Sequence, residues 1–313
     1  MTKENDAPFE TDGRMTRLQR ALLRWYRRNG RKLLPWRQTR DPYQILVSEF
    51  MLQQTQVDRV VPAFRRFIAQ FPNFAALAAA STADVLRAWK GLGYNMRAVR
   101  LKRIAQAVVQ AYGGRIPSDS ETLLTLPGIG QYTAAALRIF AFERDDLAVD
   151  ANVRRVMQRI LYGASRVASD GEFVARAREL VPARKAHDWN SALMDLGALV
   201  CTARTPACSN CPVRRECAAA LLDREALTAS SARRVRSPQQ RTPFPLTTRF
   251  ARGRIVDRLR ALPNGQRISL LELRCELTGV LANATLEFVE PLVMQLEREG
   301  IVQRHGNLVA LSD

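Results

Sequence analysis

The chain has 313 residues, 48 Lys and Arg against 30 Asp and Glu, and a formal net charge of +18. A 47% hydrophobic and 25% charged content is that of a globular protein with room for two or three domains, which excludes disorder, collagen-like repeats and a disulfide scaffold. No apolar run approaches the ~20 residues of a membrane span.

The opening MTKENDAPFETDGRM lacks a signal-peptide core, so a cytoplasmic location is expected, with the five Cys as ligands or buried thiols. All but five of the 48 cations are Arg, which grips phosphate bidentately. Such charge draws polyanions by counterion release but names no reaction.

Residues 1–13 are polar and read as a flexible start. From Arg14 to Arg40 there are ten cations and no acid, with Leu18, Leu22 and Trp25 at helical spacing. This predicts a basic amphipathic helix ending near Asn29-Gly30, with Gly as a C-cap. The region 41–200 reads as short helices broken at Pro62, Pro72, Gly91-Leu-Gly93, Gly113-Gly114, Pro127-Gly128 and Gly163. Residues 221–249 suit a basic linker. The tail, 250–313, predicts helices over 252–262, 269–277 and 284–299, then two short strands around His305-Gly306-Asn307. That order is the plan of a small winged-helix domain. Its third helix carries four Glu and one Arg, which suits packing or a protein partner better than a DNA groove.

Three constellations carry chemistry. Cys201, Cys208, Cys211 and Cys217 lie within 17 residues, close enough to ligate one centre, either Zn or iron–sulfur. Cys275 stands apart and reads as a packing residue. Leu126-Pro-Gly-Ile-Gly130 before Gln131-Tyr-Thr has the form of a helix-hairpin-helix, with Gly128 and Gly130 allowing a tight turn whose N–H groups suit a phosphate. Val149-Asp150-Ala-Asn152 opens a further helix, where Asp150 alone reads as an N-cap.

The order hairpin, Asp, cysteine loop resembles the helix-hairpin-helix DNA glycosylases of the endonuclease III/MutY superfamily. Leu34-Pro-Trp-Arg37, Asp41-Pro-Tyr43, Ser48-Glu-Phe-Met-Leu-Gln-Gln-Thr55, Gly91-Leu-Gly-Tyr94 and Asp195-Leu-Gly-Ala-Leu-Val-Cys201 resemble the MutY adenine glycosylase branch. The resemblance covers about residues 16–220. It implies a mostly α glycosylase domain over 14–220, with a six-helix barrel (41–144) and an iron–sulfur subdomain (14–40 plus 145–220). It also tips the four cysteines toward a [4Fe–4S] cluster.

The implied reaction is hydrolysis of the N-glycosidic bond of an adenine flipped from a pair with 8-oxoguanine or guanine. A departing base needs a proton while the sugar gains cationic character. By resemblance, Glu49 is the acid and Asp150 the ionised carboxylate beside the sugar. Asn152 orients the acid, and Tyr132 lines the pocket. Bifunctional relatives carry a nucleophilic Lys where Tyr132 stands, so little or no lyase activity is expected.

Gln54 matches a wedge, Thr55 and Tyr94 contact the opposite base, and Arg37 and Ser191 fall at base-pocket positions. Gly128, Gly130 and Arg204 face the backbone. The implied partner is double-stranded DNA with a mispair or oxidised guanine, met by a monomer at the nucleoid.

The match departs at three points. Asn95 replaces a second Tyr, Ser191 replaces Gln or Glu, and the tail is too short and helical for the Nudix-like domain of typical MutY chains. Thymine/uracil mismatch glycosylases share Val-Asp-Ala-Asn and a hairpin Tyr, so excision of T or U opposite G is the alternative. A non-catalytic iron–sulfur DNA sensor is a second.

Overall fold

A computed structural model describes residues 11–163, 169–220 and 243–313. Residues 1–10 of the expected flexible start and 221–242 of the expected linker lie outside the described residues. Eleven helices precede residue 200: α1 (Thr11–Asn29), α2 (Pro42–Leu52), α3 (Val57–Gln70), α4 (Phe74–Ala79), α5 (Thr82–Ala88), α6 (Met96–Tyr112), α7 (Ser120–Thr125), α8 (Gln131–Phe140), α9 (Ala151–Tyr162), α10 (Asp170–Arg178) and α11 (Ala186–Leu199). The tail adds α12 (Thr248–Arg260), β1 (Ile268–Ser269), α13 (Leu270–Leu277), α14 (Leu286–Arg298), β2 (Val302–His305) and β3 (Leu308–Leu311). The protein is mostly α, as its sequence predicts.

Contacts divide the chain into two units that interleave in sequence. The first holds the described chain up to Pro42, Ser118–Glu121 and the residues from Ile129 to 220. Its core gathers Leu22 and Tyr26 of α1, Val156 and Met157 of α9, and Trp189 and Leu193 of α11. Gly30 ends α1 by allowing a close approach, since a Cβ there would lie 2.4 Å from the Tyr26 ring. The sequence suggested a cap there, but the reason is room for Tyr26.

The second unit holds Tyr43–Pro117, Thr122–Gly128 and the described tail. Tyr43 packs edge-on against Phe74 at 5.0 Å, and Phe67 against Trp89 at 5.7 Å. The tail's three strands form an antiparallel sheet in the order β1-β3-β2, with Ile268 opposite Val309 and His305 opposite Leu308. Gly306 makes the β2–β3 turn at φ +59°. Ser269 starts α13 with a capping box to Glu272, and α14 runs through Pro291 without interruption.

The contact division differs from the subdomains expected at 41–144 and 145–220. Residues 129–144 group with the first unit because α8 is tied there: Phe140 stacks on His187 at 5.3 Å and Arg138 bonds Asp146 at 3.1 Å. The tail groups with the second unit because Arg260 donates to Leu86 O at 2.9 Å, Thr82 to Asp313 O at 3.0 Å and Arg103 to Glu299 O at 3.2 Å.

Candidate functional site

In the first unit, Asp150 caps α9 as its sequence predicts. Its Oδ1 accepts the Val153 N–H at 2.6 Å, and Asn152 Nδ2 donates to Oδ2 at 3.4 Å. Burial pushes the carboxyl above the ordinary Asp range, although the N–H groups of Val153 and Asn152, the Asn152 amide and the Arg155 charge all pull it down. The helix terminus therefore favours the ionised form without overcoming desolvation.

Asn152 is held in turn. Arg155 Nη2 donates to its Oδ1 at 2.7 Å and to Gly197 O at 2.7 Å, and Arg155 Nε donates to Cys201 O at 2.8 Å. Gly197 makes this packing possible, because a Cβ there would meet the Asn152 Cβ at 2.7 Å. Nothing in the sequence singled out Arg155; its place three residues after Asn152, on the same helix face, was the available signal. Tyr132 is the second residue of α8, half-buried, directly after the N-cap Gly130. Gly128 takes φ +89°, a conformation that favours glycine.

The cysteine loop follows α11. All four cysteines line one small cavity with Arg159, Pro206 and Val200. Arg159 fastens the loop, donating to Cys201 Sγ at 3.2 Å, Thr202 O at 2.8 Å and Ala203 O at 3.2 Å. Burial pushes the Cys211 thiol up to about 12 and Cys217 up to about 11, and the neighbouring cysteines add to both shifts. Four sulfurs crowded into an apolar cavity are a donor set that a cationic centre would hold as thiolates. Among the described residues, no group of three His, Cys, Asp or Glu is placed to hold a single metal ion. Arg204, Arg214 and Arg215 lie exposed around the loop, and Cys275 is exposed in the tail.

Arg37 and Ser191 serve a buried lock. Asp195, with its side chain fully buried, takes Arg37 at 2.6 and 3.0 Å and the Arg31 N–H and Nε at 2.9 and 2.7 Å. Ser191 is fully buried, and its carbonyl faces Arg37 at 3.5 Å. Burial alone would raise the Asp195 pKa, but hydrogen bonds and charge from Arg37 and Arg31 outweigh it and hold it below the usual range. Stability from this lock is therefore complete above the unfolded carboxyl pKa and is lost as pH falls through the lower, folded value. Asp195→Asn is expected to cost about 3–5 kcal/mol in denaturant unfolding, by leaving buried arginines unpaired, and to flatten that acid limb.

In the second unit, Glu49 sits buried on α2 between Ser48 and Phe50, as the apolar run around it predicts. Gln54 and Tyr94 are both exposed and both left-handed, at φ 55° and 45°. One residue that the sequence did not flag builds both turns. Buried Arg97 donates to the carbonyls of Phe50, Met51, Gln53, Leu92 and Gly93 and to Thr55 Oγ1, at 2.6–3.1 Å. Its guanidinium lies over the Trp89 and Tyr94 rings, and burial lowers its pKa to about 10. Asn95 faces the tail, accepting from Arg260 Nη2 at 2.5 Å.

Comparison with known proteins agrees with these features. The HhH-GPD superfamily base excision DNA repair protein family matches residues 47–183. The thymine-DNA glycosylase of Aeropyrum pernix is 37% identical over 215 residues, which is 67% of this chain and 96% of that one. The chain belongs to the HhH-GPD superfamily of base excision DNA repair proteins.

The adenine DNA glycosylase of Mycolicibacterium smegmatis is 48% identical over 194 residues, and that of Mycobacterium tuberculosis 46% over 196. This HhH-GPD chain covers 66% and 64% of their lengths, just under two thirds. A thermostable thymine-DNA glycosylase structure superposes with TM-score 0.62 at 32% identity, covering 66% of this chain and 96% of that one. Endonuclease III in a DNA complex shares the fold at TM-score 0.56 and 21% identity. No helix among the described residues is long and apolar enough to cross a membrane.

Proposed function

We propose that this HhH-GPD protein is a monofunctional DNA glycosylase that hydrolyses the N-glycosidic bond of adenine mispaired with 8-oxoguanine or guanine. The observation that carries the reading is Asp150, a carboxylate pinned at the head of α9 by Val153 and Asn152. A fixed negative charge is what a sugar with oxocarbenium character requires. Glu49 supplies the proton to the departing base and handles the water. Asn152 orients the acid, and Tyr132 lines the pocket. Gln54, Thr55 and Tyr94 meet the strands on turns set by Arg97, while Gly128, Gly130 and Arg204 take phosphates. Arg37 and Ser191 support the pocket from behind, through Asp195. The expected duplex contains a mispair or oxidised guanine, and the expected species is a monomer.

Adenine as substrate is supported by the 48% identity to a mycobacterial adenine glycosylase. Thymine or uracil opposite guanine is the second reading, favoured by the Aeropyrum relative that this chain covers almost end to end. Single-turnover excision on A:8-oxoguanine, A:G, T:G and U:G duplexes separates them. A fastest rate on T:G or U:G would replace adenine with the second reading, and binding without excision on all four would leave a sensor.

Cys201, Cys208, Cys211 and Cys217 would hold a [4Fe–4S] cluster, which supplies a covalent cross-link for the loop. Support comes from four sulfurs that surround a common cavity, whereas one Zn ion would draw each to about 2.3 Å. Purified protein is expected to carry about four iron atoms per chain and visible thiolate-to-iron absorption. Stoichiometric zinc without iron would overturn the assignment.

Tyr132 offers no amine for a Schiff base. Borohydride during turnover is therefore expected to trap no enzyme–DNA adduct, and efficient trapping would refute the monofunctional reading.

A further inference from the structure

The tail helix α12 carries five arginines, and four of them meet carboxylates: Arg252 with Glu299, Arg254 and Arg260 with Asp257, and Arg258 with Glu276. Arg249 differs. Among the described residues its partners are two aromatic rings, with its guanidinium 4.0 Å from the centroid of Tyr94 and 5.6 Å from that of Phe244. All three side chains are exposed, Tyr94 by 38% and Phe244 by 56%. Phe244 also packs edge-on to Phe250 at 5.4 Å, and Arg260 holds the neighbouring Asn95. The surface is thus braced from both sides and carries positive charge with no acid against it.

An arginine interleaved with aromatic rings stacks on any flat π-face beside a phosphate chain. A fully paired duplex offers no such face, because every base is covered by its neighbours. Flipping one base out creates one, on the partner left without its pair. We propose that Tyr94, Arg249 and Phe244 form a stacking platform for this orphaned base, so that the tail reads DNA through base faces. The inference rests on the glycosylase reading for the event that orphans the base, and it assigns to the tail a contact with the opposite strand.

The test uses the full chain, as purified, and needs no excision. Binding is measured to two duplexes of one sequence, one fully paired and one with a tetrahydrofuran abasic analogue opposite guanine. Wild type is expected to prefer the second. Arg249→Ala and Phe244→Ala should each weaken that complex roughly tenfold, while binding to the paired duplex changes much less. Arg249→Lys should keep the salt dependence and lose part of the preference, because lysine has no plane to stack.

With 2-aminopurine opposite the analogue, stacking should quench fluorescence in wild type and less so in the Ala variants. Equal weakening on both duplexes that vanishes at high salt would reduce Arg249 to a phosphate contact and overturn the proposal. Unchanged binding to both would also overturn it, leaving the face for a protein partner. Failure of excision on every mispair, with the preference and its loss intact, would sink the glycosylase reading and spare the platform.

Discussion

Asp150→Asn is expected to lower the single-turnover excision rate by about 10³-fold while leaving duplex binding within a few-fold. Asn is as good an N-cap as Asp, so α9 keeps its start and only the charge is lost. A second consequence separates a chemical role from a structural one. Burial raises the Asp150 pKa in the folded protein, so the folded state holds its proton more tightly than the unfolded state does. For an acid shifted this way, stability falls as pH rises from the unfolded to the folded pKa, and the deficit persists at neutral pH.

The Asn variant should therefore melt no lower than wild type, and somewhat higher, while excision collapses. The rate profile of wild type should lose activity on its acid side above the ordinary Asp range. Asn152→Ala and Arg155→Ala should push that limb higher still, because both groups pull the Asp150 pKa down. A variant that lost stability and activity in parallel would make Asp150 a cap and nothing more.

Arg97→Ala is expected to be the most damaging change in the second unit. It strands the carbonyls of Phe50, Met51, Gln53, Leu92 and Gly93 around a vacated guanidinium. Buried acceptors left unpaired cost about 1–3 kcal/mol each before relaxation and water entry. A net loss of about 3–5 kcal/mol is expected in unfolding. Arg97→Lys is the sharper experiment. One ammonium cannot bridge two sets of carbonyls, so the turns at Gln54 and Tyr94 should loosen even where the fold survives. The expected result is a smaller stability loss with affinity for mispaired duplex reduced about tenfold or more. Retention of wild-type affinity in Arg97→Lys would show that the two turns hold themselves.

These residues mark where the sequence is readable and where it is not. Asp150, the hairpin glycines and the four cysteines announce themselves because their chemistry is local: a cap, a turn, a set of thiols within reach of one centre. The tail helices were legible for the same reason, although α12 begins at Thr248, earlier than the predicted 252, because the Thr247 side chain caps it. Strand β1 was not foreseen, since two residues carry no alternation and pair only through β3.

The arginines are the main blind spot. In so arginine-rich a chain, nothing in the spacing separates the one that binds carbonyls 42–47 residues upstream from those that lie in solvent. Arg155 and Arg249 escape notice likewise, because their partners are a loop carbonyl and rings far along the chain. Arg37 shows the converse. Its motif suggested contact with the substrate, whereas its guanidinium is committed to Asp195.

The interleaving of the two units bears on how the chain is made. The apolar face of α1 is completed by α9 and α11, and the bond from Arg31 to Asp195 spans 164 residues. A ribosome adding about 5–20 residues per second exposes α1 for many seconds before its partners emerge. The second unit waits longer, since the carbonyl that pairs with Thr82 is the last to be synthesised. Neither unit can finish folding vectorially, and high contact order makes the final closure slow. A nascent helix that is basic on one side and greasy on the other, unaccompanied for that time, is an obvious client for a chaperone.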